Sequence, residues 1–497
     1  MARVGSNIVV VGGGAAGCVV ARRFASDGSR SVLLLEAGPD RRARLPRKLL
    51  DGWSLARGPD WEHDWGYVSE PDARGVTAEL RRGRLLGGTS WLTRFAVRGS
   101  PADFDRWEAL GCRGWGFDQV LPYFNRIEAD LDFGGEAWHG DRGPIPITRY
   151  PGLAPTDIHA AVLDALMAAG FPTVDDLNRP GAVGIGRMPM SSRNAVRVTT
   201  MDAYLPREGT PSNLSVRCEA LVAEVVFEGS RASGVRLADG TVIRADRVVL
   251  SAGTYGSPII LMRSGVGPPE HLASVGIPVR AALGGVGANL ADHVGVDLAP
   301  GWRGTSRPSP VLHTLATFRS AGSAIGNAPD LMLWVSDPAG DPPGFSMDPV
   351  LLTPSSRGTV RLRSADPTHA PRIELPGLRE PGDLERLAEG YSRGLEIANR
   401  PEVRRLCADP PPRDPAPTEL MRVVRENSYS IPHVVGTCAM GPSADDGAVV
   451  DTHGNVYGTE GLSVVDASII PDSPSGFPHL ITIMMAERLA ERIGAHG

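Results

Sequence analysis

The stretch from Asn7 to Gly38, NIVVVGGGAAGCVVARRFASDGSRSVLLLEAG, constrains this chain more than any other. Ile8–Val11 is a β-favouring apolar run that leads into Gly12, Gly14 and Gly17. A helix-compatible segment follows from Ala15 to about Ser26, with Ala16, Val20 and Phe24 on one face and Gly28 as its stop. A second apolar run, Val32–Leu35, ends at Glu36 and Ala37. Each part has a physical job. Gly12 permits a tight turn, Gly14 lets the backbone approach a pyrophosphate, and Gly17 lets helix and strand pack closely. The helix N-terminus at Ala15 and Ala16 offers N–H groups and a positive dipole end to phosphates. Glu36, 24 positions after Gly12, is near the roughly 20-residue spacing of a ribose-binding acid. A carboxylate there repels a ribose phosphate, which argues against NADP. The pattern predicts dinucleotide binding and leaves FAD and NAD both open.

A chain of 497 residues predicts two domains or more. With 42% apolar and 22% charged residues it reads as globular, and a net charge of −6 gives no bias toward nucleic acid. The glycine motif begins at residue 12, so no signal peptide is expected, and no apolar run approaches the ~18 residues of a membrane span. Five scattered cysteines (18, 112, 218, 407 and 438) lack metal spacing and suit a reducing compartment, so a cytoplasmic location is expected. The basic run at 39–48, PDRRARLPRK, reads as a solvated loop or as a cover over a phosphate-bearing cofactor.

Further along, Arg82–Ser90 (RGRLLGGTS) sets adjacent glycines before small hydroxyl residues, a loop able to press its backbone on a planar or anionic ligand. From Asn213 to Leu250, alternating apolar residues and the turn signals Glu228-Gly229 and Asp239-Gly240 predict an antiparallel β unit. Its last run, Val248–Leu250, predicts a return strand into the parallel sheet. Thr156–Ala169 has the apolar spacing of a helix. The proline-rich stretch Ala408–Pro417 predicts a loop.

These motifs together resemble the glucose–methanol–choline (GMC) oxidoreductases, a flavoprotein family. The resemblance rests on the opening βαβ unit, RGRLLGGTS, Val97–Gly99, Ser251–Pro258, Gly285–His293, Leu352–Gly358, His433–Gly441 and Val465–Ser468, and so spans nearly the whole chain. It implies an α/β fold: a Rossmann-like FAD-binding domain joined to a substrate-binding domain built on an antiparallel sheet. The expected FAD-binding domain is discontinuous, from residues 1–150, 213–293 and 441–497. The expected substrate-binding domain takes residues 151–212 and 294–440. Beyond the opening glycines, Glu36 and Ala37, the implied FAD contacts are Arg84, Gly87, Gly88, Thr89, Ser90 and Thr93. Val222 is expected near the adenine, with Ala252, Gly253, Asp466, Ala467, His479 and Leu480 along the rest of the cofactor.

Of the 11 histidines two stand out. His433 opens HVVGTCAMG, and His479 follows a proline that suits the first turn of the apolar-striped last helix. Alcohol oxidation through a flavin needs a base for the hydroxyl proton, which a histidine near neutral pKa supplies. It also needs stabilisation of a developing anion, which a helix N-terminus supplies. The resemblance gives the same roles: His433 as base and His479 as the partner that orients the alcohol. No two histidines lie at i, i+3 or i+4 and there is no CxxC, so no metal is expected. The absence of a GxSxG elbow argues against a hydrolase.

The chain departs from the family after Gly88. Thr93 stands at a position where members usually carry asparagine, and Leu92 where some carry a histidine that bonds flavin covalently, so FAD is expected to be non-covalent. Trp91, Arg94 and Phe95 are bulky for this loop; Arg94 and Phe95 are candidate substrate contacts, Arg94 toward an anionic substrate. The expected activity is oxidation of a small-molecule alcohol, with oxygen or another electron acceptor. Sugars, glycosides, polyols, aryl alcohols and natural-product alcohols stay open as substrates. The alternatives are a flavin-binding relative with a biosynthetic role that oxidises no alcohol, and an NAD-dependent dehydrogenase.

Overall fold

The computed structural model describes residues 6–26, 28–43, 50–53, 62–301, 313–323, 326, 328–339, 344–413 and 415–495. Arg44, Arg47 and Lys48 of the basic run, and residues 302–312, lie outside the described residues.

The first strand, Ser6–Val11, is central to a sheet and parallel to both its neighbours, Val32–Leu35 and Val242–Leu250. Its Val9 and Val10 are fully buried, which is why the run carries no polar alternation. Leu214–Arg217 extends this parallel layer beyond Val32–Leu35, and Leu462–Val464 pairs parallel with Val248–Leu250. The long strand Val242–Leu250 joins two kinds of sheet. Val242–Arg244 pairs antiparallel with Arg231–Leu237, while Ala245–Leu250 runs parallel to the first strand. Burial follows the pairing, alternating along the first part and complete over Val248–Leu250. The antiparallel unit with its turns at Glu228-Gly229 and Asp239-Gly240, and the return strand, are thus where the sequence places them. The helices Ala15–Ala25 and Pro478–Ala495 pack on one another, and Val19, Ala21, Ile481 and Met485 on them belong to the larger core.

A second sheet has six antiparallel strands, in the order Ser428–Val435, Ala291–Val296, Gly344–Leu351, Leu331–Ala339, Thr314–Phe318 and Ile185–Arg187. Both of its faces are covered, and one strand shows how. Leu331, Leu333 and Val335 point to a core shared with the helices Asp157–Ala168 and Pro381–Ala398. Met332 and Trp334, one step out of phase, point to a core shared with Phe95, Ile431 and Phe477. Helices therefore cover one face and the cofactor-side loops cover the other.

Strand Ala291–Val296 runs across the boundary expected at residue 293. The pairing of Ile147–Thr148 with Met190–Ser191 crosses the one expected at 150. Met201, Tyr204 and Leu205, and likewise Val360, Leu362 and Ile373, sit in the larger core with the parallel sheet. Thr156 caps the predicted helix by accepting the N–H of His159. The predicted loop at Ala408–Pro417 ends one residue early, because Pro417 is the first residue of helix Pro417–Asn427. Proline is tolerated there, where the missing N–H would have no partner in the helix.

Candidate active site

At the glycine end the backbone does the work. Gly12 has φ +99°, and a Cβ on it would lie 2.5 Å from the carbonyl oxygen of Ser251. A Cβ on Gly17 would lie 1.8 Å from the Gly12 carbonyl oxygen, so helix and turn touch directly. Gly14, the N-cap of the first helix, has nothing within 4 Å of its Cβ position and no side-chain cap. The loop Arg82–Ser90 folds onto this turn: the Gly87 N–H donates to the Gly13 carbonyl at 2.7 Å, and a Cβ on Gly88 would stand 2.8 Å from the Cα of Gly14. Ser90 Oγ donates back to the Gly87 carbonyl and Thr89 Oγ1 accepts from Gly83 N–H. Arg84 is exposed and stacks on Trp65, while Leu92 and Thr93 are half-buried. Trp91 is fully buried, its Nε1–H on the Leu86 carbonyl, and so fills the space behind the loop.

Glu36 closes the same turn. Its carboxylate accepts the N–H groups of Gly13 and Gly38, both at 2.8 Å. Burial pushes its pKa up to about 7, against the pull of those N–H bonds. Ala37 is half-buried beside it. The Ala220 N–H donates to the Glu36 carbonyl at 2.8 Å, which brings the start of strand Val222–Glu228 alongside. Asp466 plays a matching part at helix Gly253–Arg263. It accepts the Gly253 N–H at 2.9 Å and the Ser257 hydroxyl at 2.6 Å, and caps Ser468 N–H. Ala252 is the N-cap of that helix, and Ala467 half-buries against the larger core. An open, uncapped helix start ringed by glycines is a cradle that suits a pyrophosphate, so this end fits a dinucleotide.

The histidine end is built from side chains drawn from five segments. His433 lies on strand Ser428–Val435, whose register with Ala291–Val296 slips between Ala291↔Val435 and His293↔Ile431. Three residues, Pro432, His433 and Val434, thus oppose the single residue Asp292. Pro432 cannot donate to the ladder, and a bulge of this kind re-aims a side chain. Asp292 repairs the ladder by accepting the His433 N–H at 2.8 Å and the Ser430 hydroxyl. Burial raises the Asp292 carboxyl to about 7, despite those two bonds.

His293, fully buried, meets His433 with 3.0 Å between their Nδ1 atoms and their rings nearly perpendicular. On its other side the Phe477 ring lies 4.6 Å from that of His433, centroid to centroid. Phe477 in turn packs on Trp334 and Phe95. Two residues after Phe477 comes His479, in the first turn of the last helix, with Leu480 fully buried behind it. His479 Nε2 is buried and has no hydrogen-bond partner among the described residues. Burial, and then the charge of Arg197, hold its pKa down at about 4, so the ring is neutral.

The loop carrying Phe477 is clamped. Asp472 pairs with Arg357 at 2.6 Å, Ser475 Oγ donates to Asp103 at 2.5 Å, and Phe477 N–H donates to the Val97 carbonyl. A Cβ on Gly476 would lie 2.3 Å from Gly99 N, so the loop rests on the 97–99 backbone. Arg98 anchors that backbone from within a buried charge network. It bonds Glu128 at 2.6 Å, and His139 bridges Glu128 at 2.7 Å and Asp176 at 2.9 Å. Burial opposes the charge on His139, while Asp176 and Glu128 raise its pKa. Glu128, Asp130 and His139 are close enough to ligate one ion, but Arg98, Arg149 and one another already engage them. Arg94 is buried, donating to the Trp53 carbonyl and stacking on Phe95.

The structure therefore gathers the predicted residues into two groups. Gly12–Gly17, Glu36, Arg84–Ser90, Ala252–Gly253 and Asp466 meet at the glycine end, while His433 and Phe95 meet at the aromatic end through Phe477, with His479 two residues further along the chain. Helix Gly253–Arg263 links them: Thr254 Oγ1 donates to the Val434 carbonyl, and Thr437 Oγ1 to the Thr254 carbonyl. Asp292, His293, Trp334 and Phe477 were not singled out from the sequence as site residues. Their one signal is the Asp-His pair that closes Gly285–His293, directly at a strand.

A family model described as GMC oxidoreductase matches residues 6–295, and its C-terminal counterpart matches residues 354–486. The chain is 37% identical over 498 residues to an uncharacterised GMC-type oxidoreductase of Rhodococcus erythropolis, covering 97% of each. It is 34% identical over 523 residues to a 5-(hydroxymethyl)furfural oxidase of Methylovorus sp., covering 98% of each. The crystal structure of pyridoxine 4-oxidase from Mesorbium loti matches 99% of both chains, at a TM-score of 0.90 and 29% identity.

Proposed function

The chain belongs to the GMC oxidoreductase family of FAD-dependent enzymes that oxidise alcohols, and from that premise we propose that it acts on a hydroxymethyl group carried by an aromatic ring, with His433 as the base. FAD, when bound, supplies the hydride acceptor. Gly12–Gly17 and the helix start at Ala15 would hold its pyrophosphate and Glu36 its ribose, with Arg84–Thr93, Val222, Ala252, Gly253, Asp466, Ala467 and Leu480 completing the cradle. His433 takes the hydroxyl proton. His479, neutral and with a buried Nε2 that lacks a partner, fixes the alcohol oxygen beside it. That unpartnered nitrogen, two residues from the ring that packs on His433, is the observation that carries the reading, since a buried polar atom without a partner costs about 1–3 kcal/mol unless a ligand satisfies it. We read the two units as expected, with residues 200–205 and 359–374 counted with the FAD-binding unit.

Phe477, Trp334 and Phe95 supply aromatic surface next to His433, which favours a flat apolar substrate body over a polyol or sugar. Arg94 braces Phe95 in this reading. The names of the furfural and pyridoxine enzymes support the same substrate class and oxygen as the acceptor. Leu92 supports non-covalent FAD, which acid should release from the polypeptide. Five free cysteines support a cytoplasmic location, and no helix among the described residues is long and apolar enough to cross a membrane. The test is a panel of hydroxymethylarenes, polyols and sugars scored by anaerobic bleaching of the bound flavin. Hydroxymethylarenes should bleach fastest; equal or faster bleaching by polyols or sugars contradicts the substrate class. Reoxidation of the reduced enzyme in air, followed by stopped flow, decides the acceptor.

A further inference from the structure

His293 takes no part in the chemistry above, yet it touches the one side chain assigned to proton removal. Its hydrogen bonds determine where the protons sit. Nε2 lies 2.9 Å from the Pro474 carbonyl oxygen. A carbonyl only accepts, so Nε2 carries a hydrogen. Burial holds the ring well below the usual histidine range, at about 4, so His293 is neutral and has that one proton only. Its Nδ1 is therefore a bare acceptor. The 3.0 Å contact between the two Nδ1 atoms then needs its hydrogen from His433. A neutral His433 with its proton on Nδ1 has its basic lone pair on Nε2.

We propose that His293 is a positioning residue that locks His433 in the Nδ1–H tautomer and so makes Nε2 the proton acceptor. The proposal rests on the reading of His433 as the base. The same bond serves after proton transfer, when the imidazolium of His433 donates a charge-assisted hydrogen bond to His293 Nδ1. The chain of bonds then stops. The Pro474 carbonyl cannot pass a proton on, so His293 orients without relaying, and the proton leaves through Nε2. The surroundings hold this geometry. Pro474 belongs to the loop clamped by Asp472–Arg357 and Ser475–Asp103, and Asp292 fixes the His433 backbone. Around the pair, Phe477 packs on His433, Ser430 donates to Asp292, and Arg82 reaches the Pro432 carbonyl. Arrangements in which a partner sets a histidine's tautomer are known to govern base catalysis.

Two measurements on the FAD-loaded enzyme test the proposal. Nitrogen-15 NMR of the histidine rings in the wild-type protein should show His433 protonated on Nδ1 and bare on Nε2, with His293 the reverse; a His433 protonated on Nε2 alone overturns the proposal and needs no variant to fold. Anaerobic flavin reduction by a hydroxymethylarene should slow by on the order of 10²-fold in His293→Leu at little change in KM. His293→Gln, whose amide can accept from His433 and donate to Pro474, should recover most of that loss. Leu and Gln variants that behave alike, both native or both impaired, overturn it. His433→Ala run alongside separates the two claims: a native rate there removes the base assignment itself, whereas a slow His433→Ala beside a native His293→Leu removes only the role of His293.

Discussion

At the glycine end of the site, Gly12, Gly17 and Gly88 are needed for what they lack, since a Cβ on any of them would strike backbone at 2.8 Å or less. At the histidine end, His433, His293 and His479 are needed for ring nitrogens, and each is placed by a neighbour's bond or by a clamped loop. The first end is a shape, set by backbone lying directly on backbone, Gly17 on Gly12, Gly88 on Gly14 and Gly12 on Ser251. The second is a set of proton positions, set by residues up to 181 positions apart in sequence. Backbone shape tolerates no added atom, whereas proton position tolerates a change of residue wherever donor and acceptor are kept.

The sharpest break in that comparison is Gly17→Ala. The new methyl would stand 1.8 Å from the Gly12 carbonyl, with only backbone to yield. We expect a cost of about 3 kcal/mol and no flavin in the purified protein, read by thermal unfolding and by absorbance. Gly14→Ala is its counterpart. Nothing lies near that Cβ, so the fold should hold, while FAD affinity falls about tenfold as the methyl enters the cradle, a loss of roughly 1.4 kcal/mol. Unchanged affinity would move the pyrophosphate elsewhere.

A third variant tests the histidine end through stability. Asp292, at about 7 when folded against an ordinary 3.8, binds more protons folded than unfolded between about pH 4 and 7. Stability contributed by this group is therefore greatest at low pH and falls as pH rises through that window. Asp292→Asn should remove a share on the order of 3 kcal/mol, so its melting temperature should depend less on pH than that of the wild type. Glu36, also near 7, keeps part of the slope in the variant. Identical pH dependence in both proteins would contradict the buried carboxyl at the bulge. The smallest expected effect is that of Trp334→Leu, a rise of about tenfold or less in KM for hydroxymethylarenes with the polyol response unchanged.

The same contrast explains what was legible in the sequence. Gly12, Gly14, Gly17 and Glu36 lie within one βαβ unit, where the positive φ of Gly12 and the contact of Gly17 with Gly12 are local, although Ser251 also presses on Gly12. The antiparallel unit was readable from Glu228-Gly229 and Asp239-Gly240 because a turn residue acts where it stands. Pro417 misled, since one proline both ends a loop and opens a helix. In the sequence His293 is marked only as the last residue of Gly285–His293. Its partnership with His433 depends on a register slip between strands 140 positions apart, which no periodicity displays. Phe477 and Trp334 read as ordinary core aromatics, and their place beside His433 follows from which face of the sheet they occupy. The network of Arg98, Glu128, His139, Arg149 and Asp176 balances charges drawn from separate loops, with no motif to mark it.

The most direct test of the account is the anaerobic reduction of bound FAD by a hydroxymethylarene, followed by stopped flow from pH 5 to 9 in the wild type and in His433→Ala. The wild-type rate should rise with pH to a plateau through one ionisation, and the variant should keep its flavin but be slower by on the order of 10²–10⁴-fold, without that ionisation. A variant that reaches the wild-type plateau, or that keeps the same pH dependence, would contradict it.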